Sequence, residues 1–386
     1  MNLSTRWLAV LGASAALALG AAPSALADTG TAAASTSTGA AATSGTDTTP
    51  SPAQADSIAA RFGIEASLAH GALARAINPG DYQCASTDLD AYVGSLINGF
   101  SDTEWNFLIR HTEMLDIPTY DALLHGSDTD PRYALRPDYR QSLTQTFRDV
   151  KRFWDINSSD IELHAMHGSV MQDPERVARV YREVYGLSPT AAAARAQDVA
   201  NAVSTGFDGG DNPLFTLNAF AFTAQGDPDP LVQGVPDKLI FGDGILDALQ
   251  AMGIGDVGPR AVMGHEFGHH VQYEDNLFDS PLTGAEATRR TELMADAFGT
   301  YFATHARGLA LNTKRVLQVE KSFYEVGDCY YTDPGHHGTP NQRLRASTWA
   351  ADVANAARPQ GKILPSLTFA DMFEKELPAI VAPDAG

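Results

Sequence analysis

From Ser57 onward the apolar residues fall into two patterns, and the change comes near Gly206. Before that point they recur about every three to four positions, the spacing of one helix face. "DSIAARFGIEASLAHGALARAIN" reads as one helix capped by Asp56, followed by helices in "DTEWNFLIRHTEML" and "PDYRQSLTQTFRDVKRFWDI". "DPERVARVYREVYG" and "SPTAAAARAQDVANAVS" start with Asp173 and Ser188 as caps and carry Pro174 and Pro189 at the first helical position, where a missing N–H costs nothing. After Gly206 the loops "GFDGGDNP" and "AQGDPDPLVQGVPD" frame the strand candidates "LFTLNAFAF" and "KLIFGD". A short helix, "GILDALQAMG", precedes two long ones, which hold "VMGHEFGHHVQYE" and "GAEATRRTELMADAFGTYFATHARG". The expected fold is α+β and mainly helical, with a small sheet and two long helices. The expected division is a helical region, 57–205, and a core, 206–386.

The N-terminus changes the picture of where the chain works. Residues 1–27 carry one Arg, an apolar stretch from Trp7 to about Gly20 and then Ala25-Leu26-Ala27, the layout of a cleavable secretory signal. A secreted or periplasmic protein without a stable membrane anchor is expected. Residues 28–56 have no large apolar side chain, so nothing there offsets the entropy of ordering, and a flexible linker is expected. The two cysteines, Cys84 and Cys329, form an isolated pair in an exported chain, which points to a disulfide. A formal net charge of −20 and a pI near 4.8 argue against nucleic acid as a partner.

The chemistry lies in the two long helices. His265 and His269 are four residues apart and stack on one helix face, where two imidazoles can bind one zinc ion. Glu266 is turned about 100° away from His265 and is placed as a base for a water on the metal. His270 points elsewhere, to solvent or to a supporting role. A catalytic zinc needs a third protein ligand, and Glu292, 23 residues after His269 on the next helix, is the candidate. Asp296 shares its face and can accept the N–H of a zinc-binding imidazole. The remaining histidines carry no such pattern; His164 and His167 in "ELHAMHG" fall on opposite strand faces.

"HEFGHH", "RRTELMADAFG" and "GDCYYTDPGHHGTPNQRLRA", in that order, resemble the bacterial neutral zinc metallopeptidase family, of the gluzincin type. The resemblance runs from about Asn218 to Arg345. It implies a zincin-like core and one zinc per chain on His265, His269 and Glu292, with Glu266 as general base. It also implies an edge strand in which Asn218 and Ala219 hold an extended peptide or protein substrate. His337 matches the family pattern as stabiliser of the oxyanion, with His336, Tyr330 and Tyr331 as other candidates. An exported zinc-stabilised binding protein without turnover and an amidase of cell-wall peptides are the alternatives. Both a retained lobe and an inhibitory pro-segment are compatible with residues 57–205.

Overall fold

The long helix expected after Asp56 is in fact two helices. In the computed structural model, which describes residues 52–77, 87–328, 336–357 and 361–383, α1 (Pro52–Arg61) and α2 (Leu68–Ile77) are separated by a loop. Gly63 takes φ 62°. The Ile64 N–H then donates to Ala59 O at 3.1 Å and the Gly63 N–H to Ala60 O at 3.2 Å, a bonding pattern that closes a helix on a left-handed glycine. α1 already starts at Pro52, so the end of the expected linker, 52–56, is helical and Asp56 is no cap. The signal segment, the rest of the linker, Cys84, Cys329, Tyr330 and Tyr331 lie outside the described residues.

The region up to Thr205 continues with α3 (Asp88–Gly99), α4 (Asp102–Leu108), α5 (Ile117–His125), α6 (Pro137–Phe153), α7 (Pro174–Glu183) and α8 (Pro189–Thr205). Asp173 and Ser188 cap α7 and α8 as their sequence implies, accepting from the Glu175 and Ala191 N–H groups respectively. β1 (Glu162–Met166) lies between α6 and α7; β2 (Ala219–Phe222) and β3 (Lys238–Gly242) follow. The sheet order is β1-β3-β2, with β1 parallel and β2 antiparallel to β3. β2 is therefore an edge strand of the described sheet. After it come α9 (Asp243–Ala251), α10 (Gly258–Glu274), α11 (Ala285–Thr304), α12 (Thr313–Glu325), α13 (Pro340–Ala357) and α14 (Ser366–Ile380). The fold is mainly helical with a small three-stranded sheet, as the pattern of residues implies.

Residues 49–386 form one compact unit, and a single hydrophobic cluster takes side chains from both sides of Gly206. Phe153 and Trp154, at the end of α6, pack edge-on against Phe302 and Phe298 of α11, with ring centroids 5.2 and 4.9 Å apart. Burial of such aromatic pairs fixes α11 from behind. Among the described residues no helix is long and apolar enough to cross a membrane.

Candidate metal centre

α10 and α11 pack backbone to backbone. A Cβ on Gly264 would stand 3.0 Å from Gly299 Cα, and one on Gly268 would stand 3.1 Å from Ala295 Cα. Any larger side chain at these positions would push the helices apart. Gly264 faces Gly299 and Gly268 faces Ala295, so the helices run antiparallel. Glu292 and Asp296, one turn apart on α11, thus come opposite His265 and His269, one turn apart on α10.

Each imidazole is held by its Nδ1. His265 Nδ1 lies 2.8 Å from Asp296 Oδ1, and His269 Nδ1 lies 2.8 Å from Gln272 Oε1. Both partners are acceptors, so both Nδ1–H groups donate and both Nε2 atoms face inward. The Nε2 atoms are 3.2 Å apart. Behind them, Arg343 grips Asp296 with two bonds, Nε to Oδ2 at 2.8 Å and Nη2 to Oδ1 at 2.7 Å. Gln272 is fixed in turn by donating to Thr291 O at 2.7 Å.

Glu292 reaches the same point. Its Oε2 is 3.4 Å from His265 Nε2 and its Oε1 3.5 Å from His269 Nε2. A fourth donor comes from the loop after α1: Glu65 Oε1 is 3.7 Å from His269 Nε2. Ligand atoms of Glu65, His265, His269 and Glu292 all lie within 4.8 Å of one another, a group that can hold a metal ion. A tetrahedral ion with bonds of about 2.0–2.1 Å spaces its donors by about 3.3 Å, close to the separations above. Glu65 Oε1 and Glu292 Oε2 are buried without a hydrogen-bond partner. Such orphaned acceptors are costly, and beside two inward nitrogens they call for a cation.

The electrostatics are those of a surplus of negative charge. Burial opposes a charge on His265, yet the hydrogen bond to Asp296 and the adjacent Glu292 carboxylate outweigh it and raise the imidazole to about 10. His269 is lowered to about 4, by burial and then by the charge on His265. Burial would raise Glu292, but His265 and then His337 hold it down at about 2. Glu266 gives no atom to the donor group. Burial pushes its carboxyl well above the usual range, the Glu65 and Glu292 carboxylates add to this, and the Ala221 N–H of β2 donates to it.

The other expected residues divide. His337 sits beside the donors, with Nε2 3.5 Å from Glu65 Oε2 and Nδ1 3.1 Å from Asp328 Oδ2. His336 is buried and turned to Asp328, its Nδ1 2.5 Å from Oδ1. Asn218 is buried and donates its amide to Glu65 O at 3.3 Å, while Ala219 opens the edge strand. His270 does not face solvent: it is fully buried, with Nε2 3.0 Å from Lys238 O of β3. His164 and His167 stay apart, on Ala122 O and Asp243 respectively.

Glu65, Gln272, Asp328 and Arg343 were not assigned from the sequence. The region before Gly206 carries no site signature, yet it supplies Glu65. The helix break at Gly63 is the one local signal that sets this residue on a loop. Asp328 and Arg343 do lie within the third motif, and only the fold shows which residues they support. No protein-family model, curated protein or solved structure matches this chain.

Proposed function

We propose that this chain is an exported zinc-dependent metallopeptidase, an endopeptidase of the gluzincin type with a zincin-like core. One observation carries the reading. His265 and His269 turn their Nε2 atoms into the donor group, while Glu266 is buried beside that group without joining it. A site that only held an ion would have no use for this carboxylate. Imidazole nitrogens with a carboxylate at tetrahedral spacing favour zinc.

His265, His269 and Glu292 would hold the zinc, which when bound would supply a Lewis acid for the scissile carbonyl and a water of pKa about 7. Glu266 takes the proton of the attacking water at its carboxylate and returns it to the leaving amine. The Ala221 N–H keeps that carboxylate against the edge strand. His337, oriented by Asp328, donates through Nε2 to the oxygen that gains charge. Asn218 donates its amide to a substrate carbonyl, and the edge strand β2 offers backbone groups to an extended peptide.

The fourth donor favours a second reading, an exported zinc-stabilised binding protein. Four protein ligands are the mark of a structural zinc, and Glu65 completes four. Metal content and hydrolysis of a casein substrate, before and after chelation, test the choice. The expected result is one zinc per chain, activity lost with the metal and restored with it. Glu266→Gln should keep the zinc and lose ~10²–10⁴-fold in rate. A variant as fast as the parent would remove Glu266 as base.

A further inference from the structure

On the metallopeptidase reading, we propose that the loop Phe62–Ser67 is a latch, in which Glu65 fills the ligand position that substrate and water must take. Glu65 touches each part of the proposed machinery. Its Oε1 lies 3.7 Å from His269 Nε2 and its Oε2 3.5 Å from His337 Nε2, while its backbone oxygen accepts from Asn218 Nδ2 at 3.3 Å. These are the groups assigned to the ion, the oxyanion and the substrate backbone. The loop residue is thus bound as a substrate residue would be, with a carboxylate set where the reacting carbonyl belongs.

Glu65 differs from the other three donors in how it is held. The side chains of His265, His269 and Glu292 are 6%, 8% and 4% exposed, against 29% for Glu65. The three sit on helices braced by Asp296, Gln272 and the glycine contact. Glu65 sits on a loop whose ends are fixed and whose apex is the ligand. Before it, Phe62 is buried against Tyr120, ring centroids 5.5 Å apart, and Arg61 pairs with Asp229 at 2.6 Å. After it, Ser67 Oγ accepts from the Ala69 N–H at 3.3 Å, opening α2. Arg61–Gly63 also wall a cavity of about 790 Å³, faced by Thr223, Tyr273 and Phe278. The latch therefore borders an open space with an aromatic wall, in which Phe278 stacks on Tyr273 at 4.9 Å.

A ligand that competes with the site for its own access reduces apparent affinity by the fraction of time the site is open. The test uses the full chain loaded with cobalt(II), whose visible absorption reports its ligands, and acetohydroxamate as probe. Glu65→Ala and Glu65→Gln should each keep one cobalt, change the visible spectrum and bind acetohydroxamate ~10-fold or more tightly than the parent. Loss of cobalt from either folded variant would make Glu65 a permanent ligand and overturn the latch, as would an unchanged spectrum and affinity. Should Glu65→Ala fail to fold, the near-isosteric Gln variant decides alone. Peptide hydrolysis in the same samples separates the two claims. Tighter hydroxamate binding without hydrolysis in any form keeps the displaceable ligand and removes the peptidase. Hydrolysis with unchanged hydroxamate affinity does the reverse.

Discussion

Two of the places where the described residues bury acidic side chains solve the problem differently. In the helical region, Asp121 is almost fully buried and meets Arg176, Arg179 at 3.2 Å and the Tyr133 hydroxyl at 2.9 Å. Glu113 nearby receives Arg195 at 2.7 Å and Tyr181 at 2.8 Å. Burial alone would raise its carboxyl, but hydrogen bonds from His111, Arg195 and Tyr181 hold it below the usual range. Between α10 and α11 the acceptors instead face one another, and two buried oxygens have no donor. In the first arrangement every carboxylate has an arginine partner, although Glu113 Oε2 too lacks a hydrogen bond; in the second the unmatched oxygens converge with two imidazole nitrogens on one point that could hold a metal ion. Neither burial of charge nor a single unmatched acceptor distinguishes a site from a structural knot; the convergence of several ligand atoms on one point does.

The largest way to break the contrast is to take an arginine away from the first network. Arg195→Met leaves Glu113 buried without its cation, and removing one partner of a buried pair costs roughly 3–5 kcal/mol. Denaturant unfolding should show that loss in the metal-loaded and the metal-free protein alike. A loss confined to the loaded form would mean that the two regions are coupled.

Gln272→Met acts on the other side. It frees the His269 ring without adding or removing charge, and loss of such an orienting partner costs about 10–100-fold in metal affinity. Competition with a chelator of known zinc affinity measures it. An unchanged affinity would show that the helix backbone alone sets the ring.

The effect that is smallest at any one pH step concerns His164, a buried histidine outside the site. Burial, and then the Lys238 ammonium, hold it down at about 3, against 6.5 for a free imidazole. The unfolded chain takes up a proton below pH 6.5 and the folded chain does not until about pH 3, so stability falls as pH falls through that window. His164→Gln should flatten the curve by up to about 1.4 kcal/mol per pH unit. Equal slopes in parent and variant would mean that His164 is protonated in the fold.

The histidine pair was legible because a helix turns four residues into one face, so spacing along the chain stands in for distance, and Glu292 followed only from pairing that helix with the next. The capped starts of α7 and α8 were legible for the same local reason. Asp296 could be placed beside a histidine once two neighbouring helices were assumed. Glu65 could not, because its position depends on a helix break and on the packing of distant elements. Its sequence, "RFGIEAS", continues the helical spacing on both sides, and only the left-handed turn at Gly63 lifts it out. For His270 the sequence left solvent and a supporting role open; burial under β3, where Lys238 O accepts its hydrogen bond, removes the first.

The glycine contact between α10 and α11 has a consequence for ion choice. With no side chain between them at Gly264 and Gly299, the helices lie close enough to set the two Nε2 atoms and the Glu292 carboxylate 3.2–3.5 Å apart. Ions with bonds of about 2.0–2.1 Å match that spacing. Calcium, with bonds of about 2.3–2.6 Å and roughly six to eight oxygen ligands, would meet two nitrogens and only two carboxylates here. Any discrimination among metals would then rest partly on the backbone, at residues that give no atom to the donor group.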